Sequence, residues 1–302
     1  MPYSYLNQPQ VVANVHSLVT DILANTISFN ETINKLKGLY CPFMTHLNTE
    51  LFYSQPVVAF IYSTNAIVGD DYPENVIWDH DKTQQLITTL SCYRNDIENE
   101  RYAFIYQESQ NKRELELYFN NLINHYSRLL FIRIDLKYAK ETSHHVSIEG
   151  FSYHMNKLRE LISNKKTCFE HLQGNAWAIE QGGEEGGLHC HLLLMYDGSE
   201  RQNDWYIAKE VGEKWKTITG GLGEYYNYHD KEHKQKYQQY GKLGIGMIHR
   251  DNPQEVENAR RSALYLTKPS KDEQQLKLWL PHMRTFGHGI YSTSKRRGLP
   301  KY

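Results

Sequence analysis

Two runs of strand-forming residues flank a glycine-rich segment in the middle of the chain, and this arrangement constrains the fold more than any other feature. Residues 175–181 precede Gly182-Gly-Glu-Glu-Gly-Gly187, and residues 188–196 follow it and end at Asp197-Gly198. A glycine-rich connection between two such runs favours a tight return of the chain, so we predict an antiparallel strand pair. The second run contains Leu192-Leu-Leu-Met195, which predicts a central strand covered on both faces.

Further strand-like and helix-like segments alternate around this pair. Residues 129–136 are rich in strand formers and place Ile132, Ile134 and Leu136 on one face. A short strand is expected at 246–249, and apolar spacing favours helices at 148–162, 204–215 and 255–268. Interleaved strands and helices predict an α+β fold class, with a central, mainly antiparallel sheet flanked by helices.

The first part of the chain has a different character and carries no chemical motif. Apolar residues recur at helical spacing in four segments, 11–24, 31–39, 83–92 and 111–129. Asn30, directly before the second segment, is a candidate N-cap. The polar stretch 69–81 is typical of a loop. We therefore predict a mostly helical accessory region over residues 1–115, followed by a second domain over residues 116–302.

The net charge of −1 hides an asymmetry between the two parts of the chain. Residues 1–120 hold 7 Lys and Arg against 14 Asp and Glu, whereas residues 121–302 hold 27 against 21. A polyanionic partner is therefore expected to bind the C-terminal part.

The sequence has no features of a membrane or secreted protein. Its N-terminus lacks a basic head and an apolar core, and the most apolar stretch, 55–68, is shorter than the roughly 20 residues that span a bilayer. The four cysteines form no Cys-x-x-Cys pair, which favours reduced core residues over disulfides or a zinc ribbon. We expect a soluble, cytoplasmic protein with no membrane partner.

His189 and His191 lie two residues apart on a predicted strand, so both side chains point to the same face. The intervening Cys190 points to the opposite face. Glu180 ends the preceding strand and, after the antiparallel return, comes next to the two histidines. Two imidazoles and a carboxylate, with coordination positions left open, suit a catalytic divalent ion such as Mg²⁺ or Mn²⁺.

Tyr265 and Lys268 lie at positions i and i+3 of the last predicted helix, with Arg261 one turn before them. We expect Pro269 to close this helix, which leaves Lys268 in its last turn. A tyrosine hydroxyl, whose ordinary pKa is near 10, needs a neighbouring cation or metal to act as a nucleophile. Lys268 could supply that charge or stabilise a phosphoryl transition state.

These residues resemble the motifs of a known superfamily. Glu180-Gln-Gly-Gly-Glu-Glu-Gly-Gly-Leu-His-Cys-His191 resembles the metal motif of HUH-superfamily endonucleases, Tyr265-Leu-Thr-Lys268 is similar to their Tyr-x-x-Lys nucleophile motif, and Leu130-Phe-Ile-Arg-Ile-Asp-Leu136 to their first, structural strand. Over roughly residues 120–290 the chain resembles the inovirus-type replication proteins, which include the prophage YagK/YfjJ-type family. The segments that carry this narrower resemblance are Asp197-Gly-Ser, Gly212-Glu-Lys-Trp, Ile218-Thr-Gly-Gly, Gly244-Ile-Gly-Met-Ile and Arg284-Thr-Phe-Gly-His-Gly.

The resemblance implies an HUH-type fold and a rolling-circle replication initiator. In such an enzyme a divalent metal polarises the scissile phosphate of single-stranded or hairpin origin DNA. Tyr265 then attacks, becomes linked to the 5′ phosphate and frees a 3′ hydroxyl that primes synthesis. No second Tyr-x-x-x-Tyr tyrosine accompanies Tyr265 and no P-loop is present in the sequence, so we expect a single-tyrosine mechanism with a host helicase and polymerase as partners.

Other functions remain open at this point. A transposase or conjugative relaxase uses the same metal site and tyrosine, although a relaxase usually carries a third histidine. A catalytically silent DNA-binding regulator could retain the fold, but it would have no physical need for the whole set of metal ligands, tyrosine and lysine.

Several basic and aromatic residues are candidate DNA contacts. The residues that we expect to touch DNA are Arg261, Lys271, Lys242, Lys295, Arg296 and Arg297. Tyrosines and lysines between 225 and 242 either stack on exposed bases or form an ordinary polar loop. His229 and His233 have the i, i+4 spacing of a zinc pair on a helix, but the polar segment around them favours a solvated face.

Overall fold

The computed structural model describes residues 7–182, 187–268 and 273–291. In these ranges the helices are α1 (Gln8–Ala24), α2 (Phe29–Thr45), α3 (Gln55–Val68), α4 (His80–Ser91), α5 (Arg94–His125), α6 (Ile148–Asn164), α7 (Asp204–Ile218), α8 (Lys231–Gln239) and α9 (Pro253–Leu264). The strands are β1 (Phe52–Tyr53), β2 (Arg128–Tyr138), β3 (Leu172–Gly182), β4 (Gly187–Asp197), β5 (Gly223–Asn227), β6 (Gly246–His249), β7 (Leu278–Trp279) and β8 (Phe286–His288).

Six of these strands form one antiparallel sheet in the order β5-β2-β4-β3-β8, with β6 also paired to β2. Strands β1 and β7 form a separate antiparallel pair. The predicted α+β class, with a mainly antiparallel sheet flanked by helices and a mostly helical N-terminal region, is confirmed. The predicted strand pair corresponds to β3 and β4, in which Glu180 lies opposite His189.

Strand β4 lies at the centre of the sheet because its apolar residues serve two cores. Cys190, Leu192 and Leu194 point into one apolar cluster, which includes residues of α6 and α7 and also of α1 to α4. Leu193 and Met195 point into a second cluster, with residues of α5 and α9. Apolar packing covers both faces of this part of the strand, as predicted. At the start of β4 the second face carries His189 and His191 instead.

The N-terminal helices form much as the apolar spacing predicts, but α2 begins earlier than expected. The prediction of Asn30 as the N-cap is wrong, because Ser28 caps the helix and its hydroxyl accepts the N–H of Glu31 at 3.3 Å. Ser28 and Glu31 have the spacing of a capping box, which was a local signal in the sequence. The predicted helix at 111–129 starts instead at Arg94 and ends at His125, because the strand formers after it pair with β4.

The predicted domain boundary at residue 115 falls inside α5. Helices α1 to α4 contribute to the same apolar cluster as one face of the sheet. Neither observation tests whether the chain divides into two domains, so the division stays a prediction.

The polar, tyrosine-rich segment after α7 is more ordered than its sequence suggests. It forms β5, which pairs with β2, and then α8, whose N-cap Asp230 accepts the N–H of His233 at 2.7 Å. The four cysteines carry free thiols, with Cys168 and Cys190 buried and Cys92 exposed. Within the described ranges, no helix combines the length and the apolar character needed to span a membrane.

Candidate active site

The antiparallel pairing of β3 with β4 brings the three predicted metal ligands together. Nε2 of His191 lies 3.1 Å from Oε2 of Glu180, and Nε2 of His189 lies 3.5 Å from the same oxygen. One ligand atom from each residue lies within 4.8 Å of the others. Glu180 and His191 are buried, whereas His189 is partly exposed. Within the described ranges this is the one cluster of three or more side chains able to hold a metal ion.

Hydrogen bonds on the far side of each imidazole direct both Nε2 atoms toward the cluster. Nδ1 of His191 lies 2.5 Å from Oδ1 of Asp135, and Nδ1 of His189 lies 3.3 Å from the carbonyl oxygen of Gly187. A carboxylate and a carbonyl only accept, so each ring can keep its proton on Nδ1 when its Nε2 binds a metal ion beside Glu180. Outer partners of this kind are typical of metal-binding histidines. The donor set therefore fits a divalent cation.

The electrostatics of the cluster also favour a cation. Burial of His191 disfavours its charged form, but hydrogen bonds and charges of Asp135 and Glu180 outweigh this effect and raise its pKa. Burial likewise opposes ionisation of Asp135, yet its contacts with His191 and Tyr228 and the charge of Arg133 lower its pKa. Two carboxylates thus enclose one imidazole, and either a proton or a metal ion can offset their charge.

Asp135 was not predicted as a site residue. It lies on β2 directly opposite His191, and its second oxygen accepts the hydroxyl of Tyr228 at 2.5 Å. Burial first, and the charge of Asp135 second, raise the pKa of Tyr228, so its hydroxyl stays neutral and donates. A local signal did exist, because the alternation in residues 130–136 puts Asp135 and Arg133 on one face.

Tyr265 and Lys268 lie beside the metal cluster, but not on one helix as predicted. Helix α9 ends at Leu264, residues Tyr265–Thr267 form a 3₁₀ turn, and Lys268 has an extended backbone. A residue that precedes a proline disfavours the helical backbone conformation, and Lys268 precedes Pro269. The two side chains still meet, with Nζ of Lys268 4.4 Å from the ring centroid of Tyr265. The ring centroids of Tyr265 and His191 are 6.2 Å apart, so the candidate nucleophile lies next to the cluster.

Arg133 is a further site residue that the sequence reasoning missed. Its guanidinium carbon lies 4.5 Å from the ring centroid of Tyr265 and 4.8 Å from that of Tyr228. Its Nε atom is buried and has no hydrogen-bond partner within the described ranges. The cation therefore contacts both tyrosine rings.

A protein-family sequence model described as the YagK/YfjJ C-terminal domain matches residues 95–289. The chain belongs to this family. The match includes the whole six-stranded sheet, the three candidate ligands and Tyr265, and it confirms the resemblance to YagK/YfjJ-type proteins. No curated protein and no solved structure matches the chain significantly.

His229 lies inside the YagK/YfjJ domain and contacts the strand that carries Arg133. The prediction that its side chain lies on a solvated face is therefore wrong. Its side chain is buried, its Nε2 accepts the backbone N–H of Arg133 at 3.0 Å, and its Nδ1 lies 2.9 Å from Asp204. Burial disfavours ionisation of Asp204, but His229 and Lys234 outweigh it and lower its pKa to about 2. This chain of contacts anchors the backbone that carries Arg133.

Two of the predicted DNA-contacting residues, Arg261 and Lys242, lie in the described part of the YagK/YfjJ domain. Arg261 is exposed on α9, where its Nε lies 2.7 Å from Glu257, and Lys242 is exposed after α8. Neither is part of the cluster around Tyr265, and their contact with DNA stays a prediction. The remaining candidates lie outside the described residues: Lys271, Lys295, Arg296 and Arg297.

A cavity of about 250 Å³ adjoins the site between Glu180 and Lys268. Its other lining residues are mostly apolar and include Ala178, Leu266, Trp279 and Phe286. The site of the YagK/YfjJ domain therefore has space on the side of Tyr265 where Lys268 lies.

Proposed function

We propose that this YagK/YfjJ-family protein is a metal-dependent DNA nickase of the HUH type that initiates rolling-circle replication. It cuts single-stranded origin DNA through Tyr265. The observation that carries the proposal is the contact between the Tyr265 ring and His191, whose Nε2 faces the cluster with His189 and Glu180. A tyrosine next to a metal-binding set is the arrangement that phosphoryl transfer to a protein hydroxyl requires.

Nε2 of His189, Nε2 of His191 and a carboxylate oxygen of Glu180 would hold the ion. When bound, Mg²⁺ or Mn²⁺ acts as a Lewis acid on the scissile phosphate. Two nitrogens and one oxygen leave coordination positions open, as a catalytic centre needs. Asp135 orients His191 through the 2.5 Å contact to Nδ1.

The residues of the chain supply the nucleophile and stabilise charge. The Tyr265 hydroxyl loses its proton and its oxygen forms a bond to phosphorus, while the bond from phosphorus to the 3′ oxygen breaks. The released 3′ oxygen takes up a proton, so one phosphodiester is exchanged for a 5′-phosphotyrosine and a 3′ hydroxyl. Lys268 and Arg133, both close to the Tyr265 ring, place positive charge where negative charge develops.

A covalent-complex assay tests the proposal. The protein is incubated with Mn²⁺ and labelled single-stranded DNA from the adjacent replicon, and products are separated on a denaturing gel. We expect a covalent protein–DNA band that disappears in Tyr265→Phe and persists in Tyr153→Phe, a tyrosine exposed on α6. A band in Tyr265→Phe would contradict the nucleophile assignment. A band unaffected by a chelator and by the double variant His189→Ala/His191→Ala would contradict the metal site.

The same assay separates the alternative functions. Specific DNA binding without any covalent band would indicate a DNA-binding regulator on the same fold. A covalent protein–DNA complex whose DNA is joined only to a second, exogenous DNA end would indicate a strand transferase of the transposase or relaxase kind.

A further inference from the structure

A row of aromatic rings connects α8 to the site. We use "ring row" for Tyr226, Tyr228, His233 and Tyr237. The ring centroids are 4.7 Å apart for Tyr226 and Tyr228, 5.1 Å for Tyr228 and His233, and 4.7 Å for His233 and Tyr237. Arg133 then links the ring of Tyr228 to that of Tyr265.

The backbone presents the ring row on the same side of the sheet as the metal cluster. Tyr226 lies opposite Asp135 in the pairing of β5 with β2, so both side chains point to one face. The neighbouring Tyr225 points the other way, and its hydroxyl donates to Glu213 on α7 at 3.0 Å. The tyrosine-rich segment is therefore divided between the two faces, and one part of it reaches the site.

The ring row is accessible at two of its members. Tyr226 is 47% exposed and Tyr237 is 42% exposed, which are large exposed fractions for aromatic side chains. Burial lowers the pKa of His233, so its ring is neutral at physiological pH and offers an aromatic face. Exposed aromatic rings at separations near 5 Å are suited to stacking on planar groups.

The side chains around the ring row point to a nucleic acid as its occupant. Helix α8 contains no aliphatic residue, so it does not present the apolar surface that a protein partner would cover. Lys231, Lys236 and Lys242 are exposed nearby, while Lys234 is paired with Asp204 at 2.6 Å. Aromatic rings between flexible lysines are typical of surfaces that stack bases and hold phosphates.

We infer that the ring row binds the bases of single-stranded DNA and leads the strand toward Tyr265. The inference rests on the proposed function for its end point, because cleavage by Tyr265 is what requires the strand to reach that residue. Single strands fit and duplexes do not, since the faces of paired bases are already stacked on one another. The rings of Tyr226 and Tyr237 contact bases, and Arg133 marks the place where the path reaches the site.

Equilibrium binding tests the inference without any cleavage. The protein carries Tyr265→Phe, a chelator is present, and the probe is a fluorescent oligothymidylate of about 12 nucleotides, within the site sizes of single-strand-binding surfaces. We expect Tyr226→Ala and Tyr237→Ala each to weaken binding about fivefold to a hundredfold, as loss of one base–ring stack does. Tyr237→Phe retains the ring and should bind nearly as well as the parent protein.

The matched control is Tyr153→Ala. Tyr153 is 59% exposed on α6, has a lysine over its ring at 5.9 Å, and lies on a helix that packs against the other face of the sheet. It should bind the probe like the parent protein. A circular dichroism melt of each variant verifies folding, and the helix-surface variant Tyr237→Ala decides the outcome if Tyr226→Ala unfolds.

Several outcomes would overturn the inference. Undiminished binding by Tyr237→Ala would do so, as would an equal loss in Tyr153→Ala, tighter binding of oligouridylate than of DNA, or an equal ring dependence with a duplex. Failure of the inference and failure of the proposed function remain distinguishable. Ring-dependent binding without any covalent band overturns the nickase only, and nicking with ring-independent binding overturns the ring row only.

Discussion

Nδ1 of His191 lies 2.5 Å from Oδ1 of Asp135, although the two residues are 56 positions apart in the chain. The contact exists because β2 and β4 pair with these residues directly opposite each other. It lets the imidazole keep its proton on Nδ1 while Nε2 binds a metal ion.

Replacement of Asp135 by asparagine should therefore weaken metal binding. An amide can donate to Nδ1 and thereby move the imidazole proton to Nε2, so we expect Asp135→Asn to reduce Mn²⁺ affinity about 10- to 100-fold. Isothermal titration calorimetry measures the affinity. Glu255→Gln is the matched control, because it alters another carboxylate–histidine contact, the one between Glu255 and His249, which does not involve the ligands. Equal affinity in Asp135→Asn and the wild type would argue against the orienting role.

Metal-induced stabilisation should increase with pH. The pKa of His191 is raised above its ordinary value of 6.5, so its protonation stabilises the metal-free fold below 6.5, and this contribution is lost as the pH rises through the folded value. A metal ion must displace the same proton, so its binding is favoured where the proton has left. Thermal melts with and without Mn²⁺ between about pH 6 and about pH 8 should show a growing difference in Tm. A difference in Tm that shrank over this range would contradict the assignment of His191 as a ligand.

Arg133 should control how Tyr265 is positioned. Lysine keeps the charge but lacks the planar group that contacts both tyrosine rings, so we expect Arg133→Lys to slow covalent-complex formation at least about tenfold. Single-turnover kinetics measure the rate. Arg159→Lys is the control, because Arg159 stacks on Trp177 at 5.0 Å on the opposite face of the sheet. A rate unchanged in Arg133→Lys would show that the stacking does not position the nucleophile.

Gly244 should be required for the packing of α9, the helix that leads to Tyr265. A Cβ atom at this position would collide with the backbone of Asn258 on α9, and backbone cannot give way as a flexible side chain can. We expect Gly244→Ala to lower the free energy of unfolding by about 1–3 kcal/mol. Urea denaturation measures it.

The substitution Gly38→Ala should have the opposite effect on the free energy of unfolding. Gly38 lies within α2 and a Cβ there meets no atom within 4 Å, so the substitution should raise the free energy of unfolding by about 0.5–1 kcal/mol. A similar effect of the two substitutions would show that the close approach of Gly244 to α9 is not what matters.

The metal ligands could be predicted from the sequence because their arrangement is local. Side chains alternate along a strand, so His189 and His191 share a face wherever the strand lies. The glycine-rich segment in the sequence predicts an antiparallel pair, and in that pair Glu180 lies opposite His189. The capping box at Ser28 and the effect of Pro269 on Lys268 were equally local signals, for the start of α2 and for the extended backbone of Lys268.

The surroundings of these ligands depend on which distant segments pair. The sequence by itself determined the strand pair, the common face of His189 and His191, and the presence of a tyrosine and a lysine near the end of the last helix. Only the tertiary structure decided that Asp135 contacts His191, that Arg133 contacts both Tyr228 and Tyr265, and that β5 and α8 extend a row of rings to the site. The physical reason is that local sequence sets the direction of a side chain along its own strand, whereas its contacts across the sheet depend on the strand order and register of the whole fold.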